Sequence, residues 1–541
     1  MDPLQAMTTK RPGLHIQDNS GSPAVSKEPT TLVATYPIAS QSTLNIESNN
    51  NDSTVELQAS DAASDQTQQP WISYSSELGM VGCFALMAMM VSLDAVILVP
   101  VLPDISEIYH VKPAKGAIWP ITVYFLANAA FQRGYVAMTS IFGRRYLLMG
   151  GISTFSIGLI LLSAAPSLFP VLLIGRGVQG AGAASMVSIP HLILKDMISD
   201  KRRPFYNCII LSSSAIGVSV GLVLAGVFLK KPADWKWVFY VSAPFCFLLL
   251  ISTPFAVKPV GERLDSKIRI MKVDWTGISM FAGSMASLLL GLTWASSLQR
   301  ELKWEVLLAL VAGAVGMIAT VLYERSGASR PFLPLHILRI SPVTYFCVFI
   351  QSIVMAVQII YIPVYLRRVH GLSPTLAGAI LIPMVSTLFV STSLASLIPA
   401  KLCHFCWILW LGWALNIISS AIFTTFDTST KRGVCALVTL VTGLAHGLTI
   451  SATHRAFREM SNSTTARDAS LIAVFIRTSG FCLAIAGAES GFRTRLAIHN
   501  FHSTIPRIYA LSFDDLMRIL TALAGFGGLL SLFVGWKKRR G

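Results

Sequence analysis

Charge is what this chain of 541 residues has least of: Asp, Glu, Lys and Arg make up 13% of it, against 53% hydrophobic residues and a mean hydropathy of +0.61. So little charge with so much apolar surface excludes an ordinary soluble domain and leaves a polytopic membrane protein. No GxxxxGK[ST] phosphate loop occurs, which argues against ATP as an energy source. Nucleophile elbows and metal-ligand clusters are missing too, so the chain is not expected to be an enzyme or to carry a cofactor. The eight cysteines are scattered through apolar segments and form no disulfide framework. One tight pair, Cys403-His404-Phe405-Cys406, has no second pair to complete a zinc site. The first seventy residues lack both the basic start and the apolar core of a signal peptide, and they are poor in aromatics. Segment 1–70 is therefore expected to be a disordered cytosolic tail. The net charge of +16 sits in short clusters between apolar runs, where orientation signals lie, so it implies no nucleic-acid partner.

What is present is a series of apolar runs, each about twenty residues long as a bilayer requires. They begin near Leu78, Ala117, Tyr146, Leu168, Tyr206, Lys236, Asp274, Trp304, Val343, Thr375, Phe405, Arg432, Asp468 and Leu516. An even number of spans puts both termini on the same side, with the C-terminal cluster Lys537-Lys538-Arg539-Arg540 in the cytosol. Lys and Arg are somewhat more numerous on the loops this topology places inside. The Asn-x-Ser/Thr sequons, at Asn51 and Asn462, fall on segments expected to be cytosolic, where no glycan would be added.

Polar residues inside these runs are the candidate chemistry. The stretch Leu172–Pro190 carries Arg176, which cannot shed its charge and would cost roughly 2.5–3.5 kcal/mol near the bilayer centre, so it must face a polar interior. Gln179, Gly180, Ala183 and Ala184 follow it at helical spacing, stacking an amide and a small-residue strip on one face for close packing with a neighbour. Coupling to protons needs a group that titrates. Asp94, late in the first run, is either a proton carrier tuned by burial and a nearby Arg or a fixed structural partner. His446 is either a proton site or a hydrogen-bonded interior histidine. Arg477 should occupy a polar interior position, contacting substrate or a carbonyl, whereas Glu489 lies near the end of its run and should meet water. Two fixed cations against one clear intramembrane carboxylate favour a neutral or anionic amphipathic ligand over a lipophilic cation.

Several motifs carry a family resemblance. Ser92-Leu93-Asp94-Ala95-Val96-Ile97-Leu98-Val99-Pro100-Val101-Leu102-Pro103 resembles the LDxTIVNVALP signature of the fourteen-span drug:proton antiporters of the major facilitator superfamily. RGVQGAGAA from Arg176 to Ala184 is similar to the fourth-helix motif, and Trp235-Lys236-Trp237-Val238-Phe239-Tyr240-Val241-Ser242-Ala243-Pro244 to the WRWIFYINLP entry to the sixth helix. Asp274-Trp275-Thr276-Gly277, Tyr361-Ile362-Pro363-Val364-Tyr365, Gly371-Leu372-Ser373-Pro374 and Phe475-Ile476-Arg477-Thr478-Ser479-Gly480 follow in the family's order, and the wording is closest to the fungal branch. Two motifs depart from it. The stretch ending Ser140-Ile141-Phe142-Gly143-Arg144-Arg145 has Ser140 where the family has an acid, which should weaken a conformational latch. The fifth-helix antiporter motif keeps Gly217 and Gly221 but has Leu222 in place of Pro, so close packing should survive while the kink is lost.

The resemblance implies an all-α polytopic membrane protein of the major facilitator fold with fourteen transmembrane helices. It divides the chain into the tail 1–70, a six-helix bundle 71–257, two additional helices 258–325 and a second bundle 326–541. The implied work is proton-coupled efflux of a drug, toxin or secondary metabolite by a monomer, in the plasma membrane or else a vacuolar or vesicle membrane. A uniporter, an importer and a non-transporting sensor are the alternatives, the first two encouraged by Ser140 and Leu222.

Overall fold

The computed structural model describes residues 74–102, 104, 118–164, 168–199, 202–228, 237–258, 273–295, 304–326, 333–398, 405–460, 465–499 and 505–534. The expected tail 1–70 lies outside them, as do Cys403 and His404. Every element among the described residues is a helix. In order these are α1 (Tyr74–Val96), α2 (Trp119–Phe142), α3 (Arg144–Ala164), α4 (Phe169–Met197), α5 (Arg203–Phe228), the single turn α6 (Trp237–Tyr240) and α7 (Ser242–Ala256). Then come α8 (Trp275–Ala295), α9 (Trp304–Ser326), the short α10 (Leu335–Leu338), α11 (Pro342–Arg368), α12 (Pro374–Ala379) and α13 (Ile382–Leu397). The last four are α14 (Phe405–Phe423), α15 (Arg432–Met460), α16 (Thr465–His499) and α17 (Ile505–Ser531).

Punctuation is local. Gly143 has φ +80°, which separates α2 from α3 without a loop while its amide still bonds the Thr139 carbonyl. Gly371, at φ +63°, closes α11, and the following Leu372 amide returns to the Leu366 carbonyl. Ser373 then caps α12, its Oγ accepting from the Leu376 amide at 3.3 Å.

Among the described residues, eleven helical spans are long and apolar enough to cross a membrane. The exterior agrees: α9 exposes Leu307, Leu308, Val311, Val315, Ile318 and Leu322 in one apolar band, a surface suited to lipid and not to water. The three expected spans outside that set are α2, α4 and α17. Each is helical and long enough, at 24, 29 and 27 residues, but each has a polar stripe. In α2 the stripe is Asn128, Gln132 and Arg133, in α4 it is Arg176 and Gln179, and in α17 it is Arg507, Asp514, Asp515 and Arg518. The stripe also moves a boundary. α17 starts at Ile505 and not near Leu516, because Ile508, Ala510 and Phe513 are buried on one face of its first turns while polar residues interrupt the run on the other.

The helix pairings repeat along the chain. α4 is wedged between α2 and α3, α1 lies on α5 and α7, and α3 on α7; likewise α15 is wedged between α13 and α14, α11 lies on α16 and α17, and α14 on α17. α8 and α9 form a hairpin whose α8 touches both α2 and α16. Asp274 explains the hairpin's start: its Oδ1 accepts the Gly277 amide at 2.8 Å and the Tyr323 hydroxyl of α9 at 3.3 Å.

Candidate functional site: buried polar centres between the helices

Arg176 and Asp94, 82 residues apart in sequence, meet with no exposed surface on either. Arg176 Nη1 donates to Asp94 Oδ2 at 2.7 Å and to Gln179 Oε1 at 3.0 Å, Nη2 to the Asp94 backbone carbonyl at 3.1 Å, and Nε to the Pro120 carbonyl at 3.3 Å. Its guanidinium lies 4.6 Å from the centre of the Tyr124 ring. The second oxygen of Asp94 accepts a long bond from Ser242 Oγ at 3.5 Å. One guanidinium thus ties α1, α2 and α4, and the carboxylate adds the start of α7. Tyr124 Oη, on the same centre, is buried and meets no partner among the described residues.

Close approach holds this arrangement in place. A Cβ on Gly180 would lie 2.2 Å from the Tyr124 carbonyl oxygen, so α4 reaches α2 only through glycine there. Across the bundle, Gly217 and Gly221 of α5 face the Met89 and Leu93 carbonyls of α1 in the same manner, as their spacing implies. α5 is one continuous helix through the buried Leu222, whose carbonyl abuts Gly378 of α12.

His446 is not near that pair. It is sealed between α11, α14 and α15, with Nε2 2.7 Å from Gln358 Oε1 and Nδ1 3.3 Å from Asn416 Nδ2, while Gln358 Nε2 donates to Ser420 Oγ at 3.0 Å. Sequence reasoning singled out the imidazole and missed its partners Gln358 and Asn416 and the Ser420 beyond Gln358, whose signal was isolated amides and a hydroxyl inside apolar runs. Arg477 stands apart from both centres on α16. Its Nε and Nη2 are buried and meet no acceptor among the described residues. Glu489, expected in water, is 8% exposed: it accepts from Tyr361 Oη at 2.9 Å and pairs with Arg493.

At the end where α1 begins, Arg144 pairs with Asp196 at the end of α4, so its charge is met from a different helix than the motif implies. Ser140 lies on α2, and its side chain is outside the described residues. Arg145 Nε is buried without a partner among the described residues. At the opposite end Arg367, closing α11, forks onto Asp104, with Nη2 to Oδ1 at 3.0 Å, and also donates to the Pro100 carbonyl at 3.0 Å. That contact joins the segment after α1 to the second set of helices. It had no sequence signal.

The Major Facilitator Superfamily profile matches residues 84–485. The chain belongs to this superfamily. Among its relatives, the MFS efflux transporter aclA of Aspergillus oryzae is 27% identical over 403 residues, which are 74% of this chain and 72% of that protein. The acurin A biosynthesis cluster MFS-type transporter of Aspergillus aculeatus is 27% identical over 363 residues, 66% of this chain and 64% of that protein. Solved structures share the fold: a D-xylose-proton symporter superposes with a TM-score of 0.58 at 14% identity, covering 84% of this chain and 97% of that one. A bacterial homolog of the human lysosomal transporter Spinster, inward-facing and unoccupied, gives 0.57 at 14% identity over 86% and 98%. This major facilitator chain is therefore a multi-pass membrane transporter whose relatives include fungal efflux proteins.

Proposed function

We propose that this transporter exports an amphipathic organic compound in exchange for protons. It works as a monomer of two six-helix bundles bracketing the α8–α9 hairpin, fourteen spans in all, in the plasma membrane with both termini cytosolic. The observation that carries the reading is the fully buried Asp94–Arg176 pair. A carboxylate there can take up a proton only by giving up its strongest contact, and that contact joins α1 to α4 and, through Pro120, to α2. Protonation therefore frees a guanidinium that must find other acceptors, so proton occupancy and helix arrangement change together. The relatives' efflux role supports the direction. The Arg367–Asp104 fork supplies a contact between the two sets of helices that must break for the outer side to open. His446, fully enclosed by neutral groups, serves as a structural tie.

The test is transport by proteoliposomes holding the purified chain and a panel of amphipathic compounds, with and without an imposed pH gradient. Gradient-dependent export that Asp94→Asn abolishes, while substrate binding persists, is expected. Transport indifferent to the gradient would replace this reading with a uniporter, which the unbroken α5 at Leu222 favours.

A further inference from the structure

Arg477 differs from Arg176 and Arg367 in what surrounds it. Three directions around α16 at this level are filled by protein: Phe475 packs on Phe281 of α8 with ring centroids 5.0 Å apart, Thr478 accepts from Gln132 of α2 at 3.2 Å, and Gly480 abuts Ser352 of α11. The remaining direction brings Arg477 within electrostatic reach of His191 on α4 and His454 on α15, two bases from the two sets of helices. No carboxylate acts on it among the described residues. His191 is exposed and His454 partly so, and neither ring hydrogen-bonds a described residue. One turn along α16, Phe481 meets Phe125 of α2 edge-on at 5.6 Å, both rings partly accessible.

A permanently charged guanidinium, buried on two nitrogens that meet no described acceptor and with two histidines in electrostatic reach, is an unfinished ion pair. Arg176 has an acid and two carbonyls, and Arg367 a forked carboxylate. Arg477 has neither. No acid among the described residues completes it, and a planar oxyanion suits a guanidinium best. We propose that Arg477, accompanied by His191 and His454, is the anion-binding point of the substrate site, and that its ligand is an amphipathic carboxylate or phenolate whose apolar skeleton lies against Phe481 and Phe125. This rests on the reading of the chain as a transporter of an organic compound. It narrows that reading, since Arg176 is already neutralised within the protein and adds nothing to the selection of a ligand's charge.

The experiment is equilibrium binding of 2-naphthoate, 2-naphthamide and 2-naphthylmethylamine to the full chain purified into lipid nanodiscs. The wild type is expected to bind naphthoate at least about tenfold more tightly than naphthamide, with the amine weakest. In Arg477→Gln the naphthoate advantage should fall to about twofold or less while naphthamide affinity holds, and Arg477→Lys should sit between them. Retained naphthamide binding reports that the variant is folded. A wild type without preference for the carboxylate overturns the proposal without needing any variant, and so does an Arg477→Gln protein that keeps the preference. The two readings fail separately. Carboxylate binding lost in Arg477→Gln without gradient-driven transport leaves the site and removes the exporter; gradient-driven export by a chain that binds naphthoate no better than naphthamide does the reverse.

Discussion

The two repeats bury polar groups at comparable places by opposite means. Around α4 the centre is ionic, with Arg176 saturated by Asp94, Gln179 and two backbone carbonyls. Around α15 the centre is neutral, with His446, Gln358, Asn416 and Ser420 linked in one chain of hydrogen bonds. Both helices are wedged between the equivalents of the same two neighbours, and the polar side chains of both centres are fully buried. The difference teaches where titration can matter. A neutral network can tie helices together at modest electrostatic cost, but a proton entering or leaving it disturbs only itself. An ion pair converts one proton into the loss of a strong interhelical contact.

The comparison breaks most readily at the ion pair. Asp94→Ala leaves Arg176 uncompensated and is expected to destabilise the protein by about 3–5 kcal/mol, with the double change Asp94→Asn, Arg176→Gln recovering part of it. Thermal unfolding in detergent measures both, and equal stability of single and double variants would mean the pair is not coupled. In the neutral centre, Gln358→Leu strands His446 and Ser420 and should cost about 1–3 kcal/mol, less than the ionic change, with Asp94-dependent coupling intact. Loss of the gradient response with binding intact would place proton coupling in the neutral centre as well. Arg367→Ala removes a partly exposed fork and should cost only about 1 kcal/mol. Its sharper effect is on conformation, read as greater labelling of engineered cysteines near Pro100 from the side opposite the start of α1. The smallest effect concerns pH. His370, just past α11 and 3.2 Å from Tyr365 Oη, has its pKa lowered by burial and then by Arg432. Its native form resists protonation, so the contribution is full above the unfolded histidine's ordinary value of about 6.5 and is lost as pH falls from there toward the lowered one. His370→Gln should flatten stability over that acid window. A window left unchanged would assign it to another group.

Much of the scaffold was legible in residue order because hydrophobic runs and glycine spacings are local signals. The α5 strip at Gly217 and Gly221 meets α1 as its four-residue spacing implies, and thirteen of the expected starts fall within a few residues of a helix. The exception was α17. A hydropathy reading cannot separate a buried face from a polar one when Asp514 and Asp515 interrupt the run, so it placed the start too late. Within the candidate centres, single residues stood out only when their chemistry was costly in lipid. Arg176, Asp94 and Arg477 were visible on that ground, whereas Gln358, Asn416 and Ser420 were not, because isolated amides and hydroxyls are tolerated in many helices.

By itself the sequence determined the class of this protein, its family, its helices and which of them carry charge, because burial of apolar runs and the expense of an ion in lipid depend on residue type and spacing alone. Tertiary structure decided the pairings. That Asp94 neutralises Arg176, that His446 is sealed by neutral neighbours, and that Arg477 lies within electrostatic reach of His191 and His454 but of no described acid all depend on how each helix is rotated and shifted against the next. Contacts such as the Tyr124 carbonyl over Gly180 fix that register, and they join residues that no local pattern connects.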